Sequence, residues 1–360
     1  MRDPFPIPPS QALASSVEPL ASYFSLTTLP LHIHEVLAAC VLYTVINVVV
    51  SPALSTWLFP NHYGKMSATK KLNWDVHVVS FIQAILINSL ALWVIWVDTE
   101  RSSMDPSERV YGYTGAAGMI QALAAGYFLW DLVITAIYLP VFGMGMLTHA
   151  VSALTVFSFG FRPFVNYYGC VFILWELSSP FLNIHWFCDK LGMTGSRLQL
   201  YNGFALIFTF FSCRLVYGTY QSTRVFSDVW TALHQPEAPT NDPSGVLLFS
   251  DPKTPVPTWL AVVYLGSNIT LNTLNFFWFF KMIEAVRKRF VPKPEAAPVH
   301  ANMSIDSAST NGEVVGKKPA IWPVPTSATA ISNISEGLRQ RIDNAEDNSS
   351  DSADEVPPVT

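Results

Sequence analysis

The chain has 360 residues, of which 50% are hydrophobic and only 13% charged, with a mean hydropathy of +0.31, whereas a soluble domain carries about a quarter charged residues. The formal net charge is −5, with much of the acid beyond residue 290, and this excludes the basic footprint of a nucleic-acid partner. Composition of this kind points away from a soluble enzyme and toward an integral membrane protein.

The first 32 residues hold Arg2, several prolines and scattered polar residues. No apolar core runs into a small-residue cleavage site, so no cleaved signal peptide is expected. Apolar runs then reach about 20 residues, enough at ~1.5 Å rise per residue to cross a ~30 Å hydrocarbon core. Lipid offers backbone groups no partners, so such runs are helices. Candidate spans lie at 33–58, 74–97, 117–139, 141–159, 164–188, 203–226 and 257–283. The fourth is short and glycine-rich and follows the third across Pro140, which leaves six or seven spans. The fold class is therefore an all-α polytopic bundle. Residues 33–69 form a first helix and loop, 70–290 the main bundle, and 291–360 a tail too poor in aromatic and aliphatic residues to fold, expected to be disordered.

Lys65, Lys70 and Lys71 lie between the first two spans, and Lys281, Arg287, Lys288, Arg289 and Lys293 at the end of the last. The positive-inside rule puts both stretches in the cytoplasm. Seven spans then place the N-terminus outside or in a lumen and the C-terminus in the cytoplasm. Residues 227–256 read as a polar, proline-rich loop. The sequons at Asn302, Asn333 and Asn348 fall on the tail, and Asn268 falls inside the last helix, so no glycosylation is expected. Cys40, Cys170, Cys188 and Cys213 are far apart and read as membrane-buried thiols. No metal-ligand spacing is present, and neither metal nor cofactor is expected.

An ionisable side chain at the centre of a membrane helix costs ~2.5–3.5 kcal/mol on insertion scales and needs a partner, a cavity or a role. The candidates are Asp131, His149, Glu176 and Arg214, with His77 and His185 shallower. Glu176, Ser179, Asn183 and Trp186 share one helix face, with Pro180 placed to kink the helix. Asn268, Asn272 and Asn275 form a second polar stripe. Asn73, His77, Ser80 and Asn88 form a third, with Gln83 at its edge. Such faces serve either interhelical hydrogen bonding or a polar cavity that admits an amphiphile. Arg214 needs a carboxylate, with Glu176 and Asp131 the buried candidates, or else holds an anionic headgroup. His149 is the deep histidine, either a packing residue or a general base.

The segments LNWDVHVVSFIQA (72–84), GYFLWD (126–131), THAVSALTVFSF (148–159), LWELSSPFLNIHWF (174–187), YNGFALIFTFFSCRLVYG (201–218) and LNTLNFFWFFKMI (271–283) together resemble the TLC-domain family. That family is named for a translocon-associated protein, the longevity-assurance ceramide synthases and a neuronal ceroid lipofuscinosis protein. The pattern E-x-S-x-P-F-x-N-x-x-W is most similar to the non-synthase branch. The resemblance implies a helical bundle around a cavity open to lipid, a fatty acyl or sphingoid lipid as ligand, and residence in the endoplasmic reticulum membrane. The synthases transfer an acyl group using paired histidines and a later aspartate-rich motif. Here the first histidine of the pair is Thr148, the His-Asp pair is Trp175 and Glu176, the further aspartate is Ser179, and a histidine common in non-synthase relatives is Gln83. Ceramide synthesis is therefore not expected. The favoured function is binding or sensing lipid, and so influencing membrane lipid composition or trafficking, with Asp131, Glu176, Asn183, Arg214, Asn275 and His77 lining the cavity beside His149. The alternatives are an acyltransferase-like enzyme with His149 as base, positioned by Glu176 or Asp131, and a structural or transport accessory protein.

Overall fold

The structure, a computed structural model, describes residues 1–234, 245–249 and 256–290. The tail beyond 290, with its expected disorder and three sequons, lies outside the described residues. Among the described residues all regular structure is helical. After a short helix α1 (Gln11–Phe24) come α2 (Leu29–Leu58), α3 (Ala68–Val97), α4 (Gly115–Ile137), α5 (Leu139–Phe159), α6 (166–190), α7 (Arg197–His234) and α8 (Thr258–Phe290). By length and composition α2, α3, α4, α5 and α7 can each cross a membrane. The chain is a multi-pass membrane protein.

The outer faces are apolar. Val48 on α2 is 65% exposed and Phe208 on α7 is 71%, which suits lipid contact and would be unusual in contact with water. Polar groups turn inward instead: Asp131, Gln83, Ser179 and Asn183 are fully buried.

Local sequence explains most breaks. Pro180 has no N–H to give to the Glu176 carbonyl, and its ring crowds that turn. The chain answers with a 3₁₀ stretch over Ile173–Ser178, and α-helix resumes at Ser179 with the proline in its first turn. α5 is long and apolar enough to cross a membrane, but it breaks into two helical pieces at Gly143, whose φ of 79° few other residues accept. α2 and α7 carry π-helical turns at Ile46–Val50 and Phe211–Tyr217. The second of these contains Arg214.

The N-terminal segment forms α1, started by a Ser10 side chain that accepts from the Leu13 N–H. One expectation needs correction. The loop placed at 227–256 begins later, because α7 continues through His234. Residues 235–244 and 250–255 lie outside the described residues.

Each end of the bundle is fastened by buried polar contacts. At one end, Arg109 meets Asp228 at 2.7 Å and Tyr168 donates to the same carboxylate at 2.6 Å. The hydrogen bond from Arg109 to Asp228 holds its guanidinium above the ordinary value against the opposing effect of burial. At the other end, Ser51 and Tyr63 donate to Asp75 at 2.6 and 2.9 Å. Of the four free cysteines, Cys170, Cys188 and Cys213 are buried and Cys40 is half-buried.

Candidate functional site

α6, α7 and α8 meet around Arg214, and α3 packs against α6 beside it. The guanidinium lies 3.5 Å from Glu176 and donates to Ser178 Oγ at 3.1 Å, Ser179 Oγ at 3.2 Å and Asn275 Oδ1 at 3.0 Å. Ser179 in turn donates to Glu176 at 2.7 Å. The charge is paired and its fork is nearly filled, as a buried guanidinium requires. Gly218, just past the π turn, lets this helix approach α6, because a Cβ there would run into the Trp175 indole.

One turn further along α6, Asn183 donates to Ser80 Oγ at 3.2 Å and to the Ser179 carbonyl at 2.9 Å, while its Oδ1 lies 2.7 Å from His77 Nδ1. With the amide so oriented, His77 carries its proton on Nδ1. The His77 ring stacks on Trp186 at 3.8 Å between centroids. All four residues of the α6 stripe read from sequence thus face this interior. On α8, Asn275 joins Arg214, and Asn272 donates to Ser222 at 2.9 Å and to Asn268. The α3 stripe divides: His77 and Ser80 join the network, whereas Asn88 donates to its own backbone at Ala84.

Within this network Asn272 Oδ1 and Asn275 Nδ2 are buried without a partner, and further buried polar groups on α3, α4 and α5 are in the same position. Both carboxylate oxygens of Asp131, the Thr135 hydroxyl one turn on, both ring nitrogens of His149 and both amide atoms of Gln83 are buried without a hydrogen-bond partner. Neither Asp131 nor His149 enters the ion pair of Arg214 and Glu176. His149 lies between the rings of Phe128 on α4 and Trp278 on α8, at 6.2 and 5.5 Å. Among the described residues no carboxylate lies within ion-pair reach of His149. Burying a polar group without a partner costs about 1–3 kcal/mol by protein mutational data.

The TLC-domain profile matches residues 73–284. The chain belongs to the TLC-domain family. It is 38% identical over 289 residues to an uncharacterised TLC domain-containing protein of Schizosaccharomyces pombe, covering 80% of this chain and 90% of that one. It is 29% identical to Topoisomerase I damage affected protein 4 of Saccharomyces cerevisiae, over 73% of this chain and 87% of that one. It is 26% identical to TLC domain-containing protein 4-B of Danio rerio, over 66% and 83%. These TLC-domain relatives are not ceramide synthases by name, which agrees with the missing paired histidine at Thr148. The whole Arg214 network and all four unsatisfied residues fall inside the matched TLC domain.

Two buried polar groups, Ser178 and Glu35, were not legible among the candidates. Ser178 was not weighed, although it takes the Arg214 Nε donor. Glu35 was missed because it sits near the start of the first span, where an acid passes for an interfacial residue, yet it is fully buried. The signal that could have found it is the pair His32 and His34 just before it on the same helix.

Proposed function

We propose that this TLC-domain protein binds a membrane lipid by its polar end, at the face formed by Asp131, Thr135, His149 and Gln83, and does not catalyse acyl transfer. The observation that carries the reading is the contrast between two buried polar sets. Arg214, Glu176, Asn183, His77 and Asn275 largely satisfy one another and serve as the rigid wall. Asp131 and His149, alongside them, are buried with no partner. A headgroup or backbone bearing both hydrogen-bond donors and acceptors, such as that of a sphingoid or acyl lipid, matches what those side chains offer: carboxylate acceptors, and an imidazole with one donor and one acceptor. The acyl chain would leave between apolar helix faces. Residence in the endoplasmic reticulum membrane, with the C-terminus in the cytoplasm, is part of the same proposal and rests on the family and on the lysine- and arginine-rich stretches named above.

Lipid profiling of cells lacking the protein, rescued with wild type or with His149→Ala, tests this. Wild type restores the distribution of lipid species and His149→Ala does not, with every species still present in the deletion. A lipid wholly missing from the deletion would favour catalysis instead. A profile indifferent to the deletion would remove lipid handling altogether.

A further inference from the structure

A second cluster lies away from that interior, where α2 begins. His32 and Glu35 occupy one face of its first turns, at 1% and 0% exposure. His32 Nδ1 lies 3.0 Å from Glu35 Oε1 and 3.6 Å from Asp3 Oδ2. One atom from each of the three residues falls within 4.8 Å of the others. The second Glu35 oxygen is buried with no hydrogen-bond partner. Asp3, 28% exposed, borders a pocket of about 600 Å³ whose walls include His32, Tyr113 and Phe249.

We propose that Asp3, His32 and Glu35 form a binding site for a divalent transition metal ion, with zinc the best fit. Two carboxylates converge on one imidazole nitrogen, an arrangement that a divalent cation stabilises and that repels itself when both acids are ionised. Zinc ligands stand at about 2.0–2.2 Å from the metal, so a tetrahedral set has donors roughly 3.3 Å apart. The 3.0 and 3.6 Å separations from His32 lie close to this, and all three ligand atoms are within 4.8 Å of one another. A nitrogen donor disfavours magnesium and calcium, which take oxygen sets. Asp3 and His32 both line the pocket, from which water would supply the remaining ligand.

The surroundings are those of a supported ligand. His32 Nε2 lies 2.5 Å from the Tyr113 hydroxyl; with Nδ1 on the metal, Nε2–H donates to that oxygen and fixes the ring, as ligand histidines generally require. Two glycines on α4 make the approach possible. A Cβ at Gly118 would overlap the His32 and Tyr113 rings, and one at Gly115 would overlap the backbone of Arg2 and Asp3. No spacing in the sequence announces the set, because Asp3 arrives from a separate segment. The site also straddles a boundary: its ligands precede the matched TLC domain, while Tyr113 belongs to it. Bound metal would tie the N-terminal segment to the bundle.

The test uses the full chain in detergent, stripped with a chelator and titrated with Zn²⁺ alone, with bound metal counted by mass spectrometry. The site predicts about one Zn²⁺ per chain, and an affinity at least about tenfold weaker in Asp3→Asn and in Glu35→Gln. Asp3→Asn alters a partly exposed side chain, so its metal-free melting temperature stays at the wild-type value even if Glu35→Gln folds poorly. A wild-type chain that binds no stoichiometric Zn²⁺, or an Asp3→Asn chain that folds and binds as wild type does, overturns the proposal.

Discussion

Arg214 and Glu176 face each other across α7 and α6 at 3.5 Å, with the Ser179 hydroxyl accepting from the guanidinium and donating to the carboxylate. The polar interior is built on this relationship. It holds two helices at the depth where each is irregular, one by a π turn and the other by a 3₁₀ stretch, and irregular turns of this kind are common at functional positions.

Removing one partner of such a pair leaves the other buried and uncompensated, at a cost of about 3–5 kcal/mol. Glu176→Gln is expected to lower stability by that order in detergent. Glu176→Gln combined with Arg214→Gln is expected to cost clearly less than the sum of the two single changes. Thermal unfolding of the four proteins of this cycle measures the coupling.

Asn183 is expected to be the most sensitive neutral residue of the interior. It joins α3 to α6 through His77 and Ser80, and Asn183→Leu removes the acceptor facing His77 Nδ1. The loss is about 1–3 kcal/mol, read as a lower melting temperature. Asn88→Leu on the same α3 breaks only a bond to its own helix and should cost less.

Gly126 on α4 lies against α2, where Cys40 donates to its carbonyl at 3.0 Å and a Cβ would meet the Val36 carbonyl and the Ala39 methyl. Small residues let membrane helices approach this closely. Gly126→Leu is expected to push α2 away, destabilising the protein by about 1–3 kcal/mol or more. Cysteine accessibility at Cys40 should rise in parallel, and unchanged labelling would count against close packing here.

Much of this was legible in the sequence, for reasons that differ by residue. Each of the seven apolar runs is helical because length and hydropathy act locally and leave lipid-embedded backbone one choice. The α6 stripe from Glu176 to Trp186 was readable because helical spacing places those residues on one face whatever the neighbours are. The choice of Glu176 over Asp131 as the partner of Arg214 was not, since it depends on how α4 and α6 rotate against α7. Helix α1 escaped notice because it contains Pro19 and carries no long apolar run. The cluster of Asp3, His32 and Glu35 was hidden for a related reason: Asp3 is far from the i, i+3 pair of His32 and Glu35 in sequence, and only the folded position of the first residues brings it to them.

The central claim is that Asp131 and His149 border a place for a lipid headgroup. The most direct measurement is mass spectrometry of lipids retained by the purified protein after detergent exchange, comparing wild type with Asp131→Asn and His149→Ala. A lipid class held by wild type and reduced several-fold in both variants, at unchanged melting temperature, is the result predicted. Wild-type protein free of lipid above the detergent background, or equal retention by all three proteins, would contradict it.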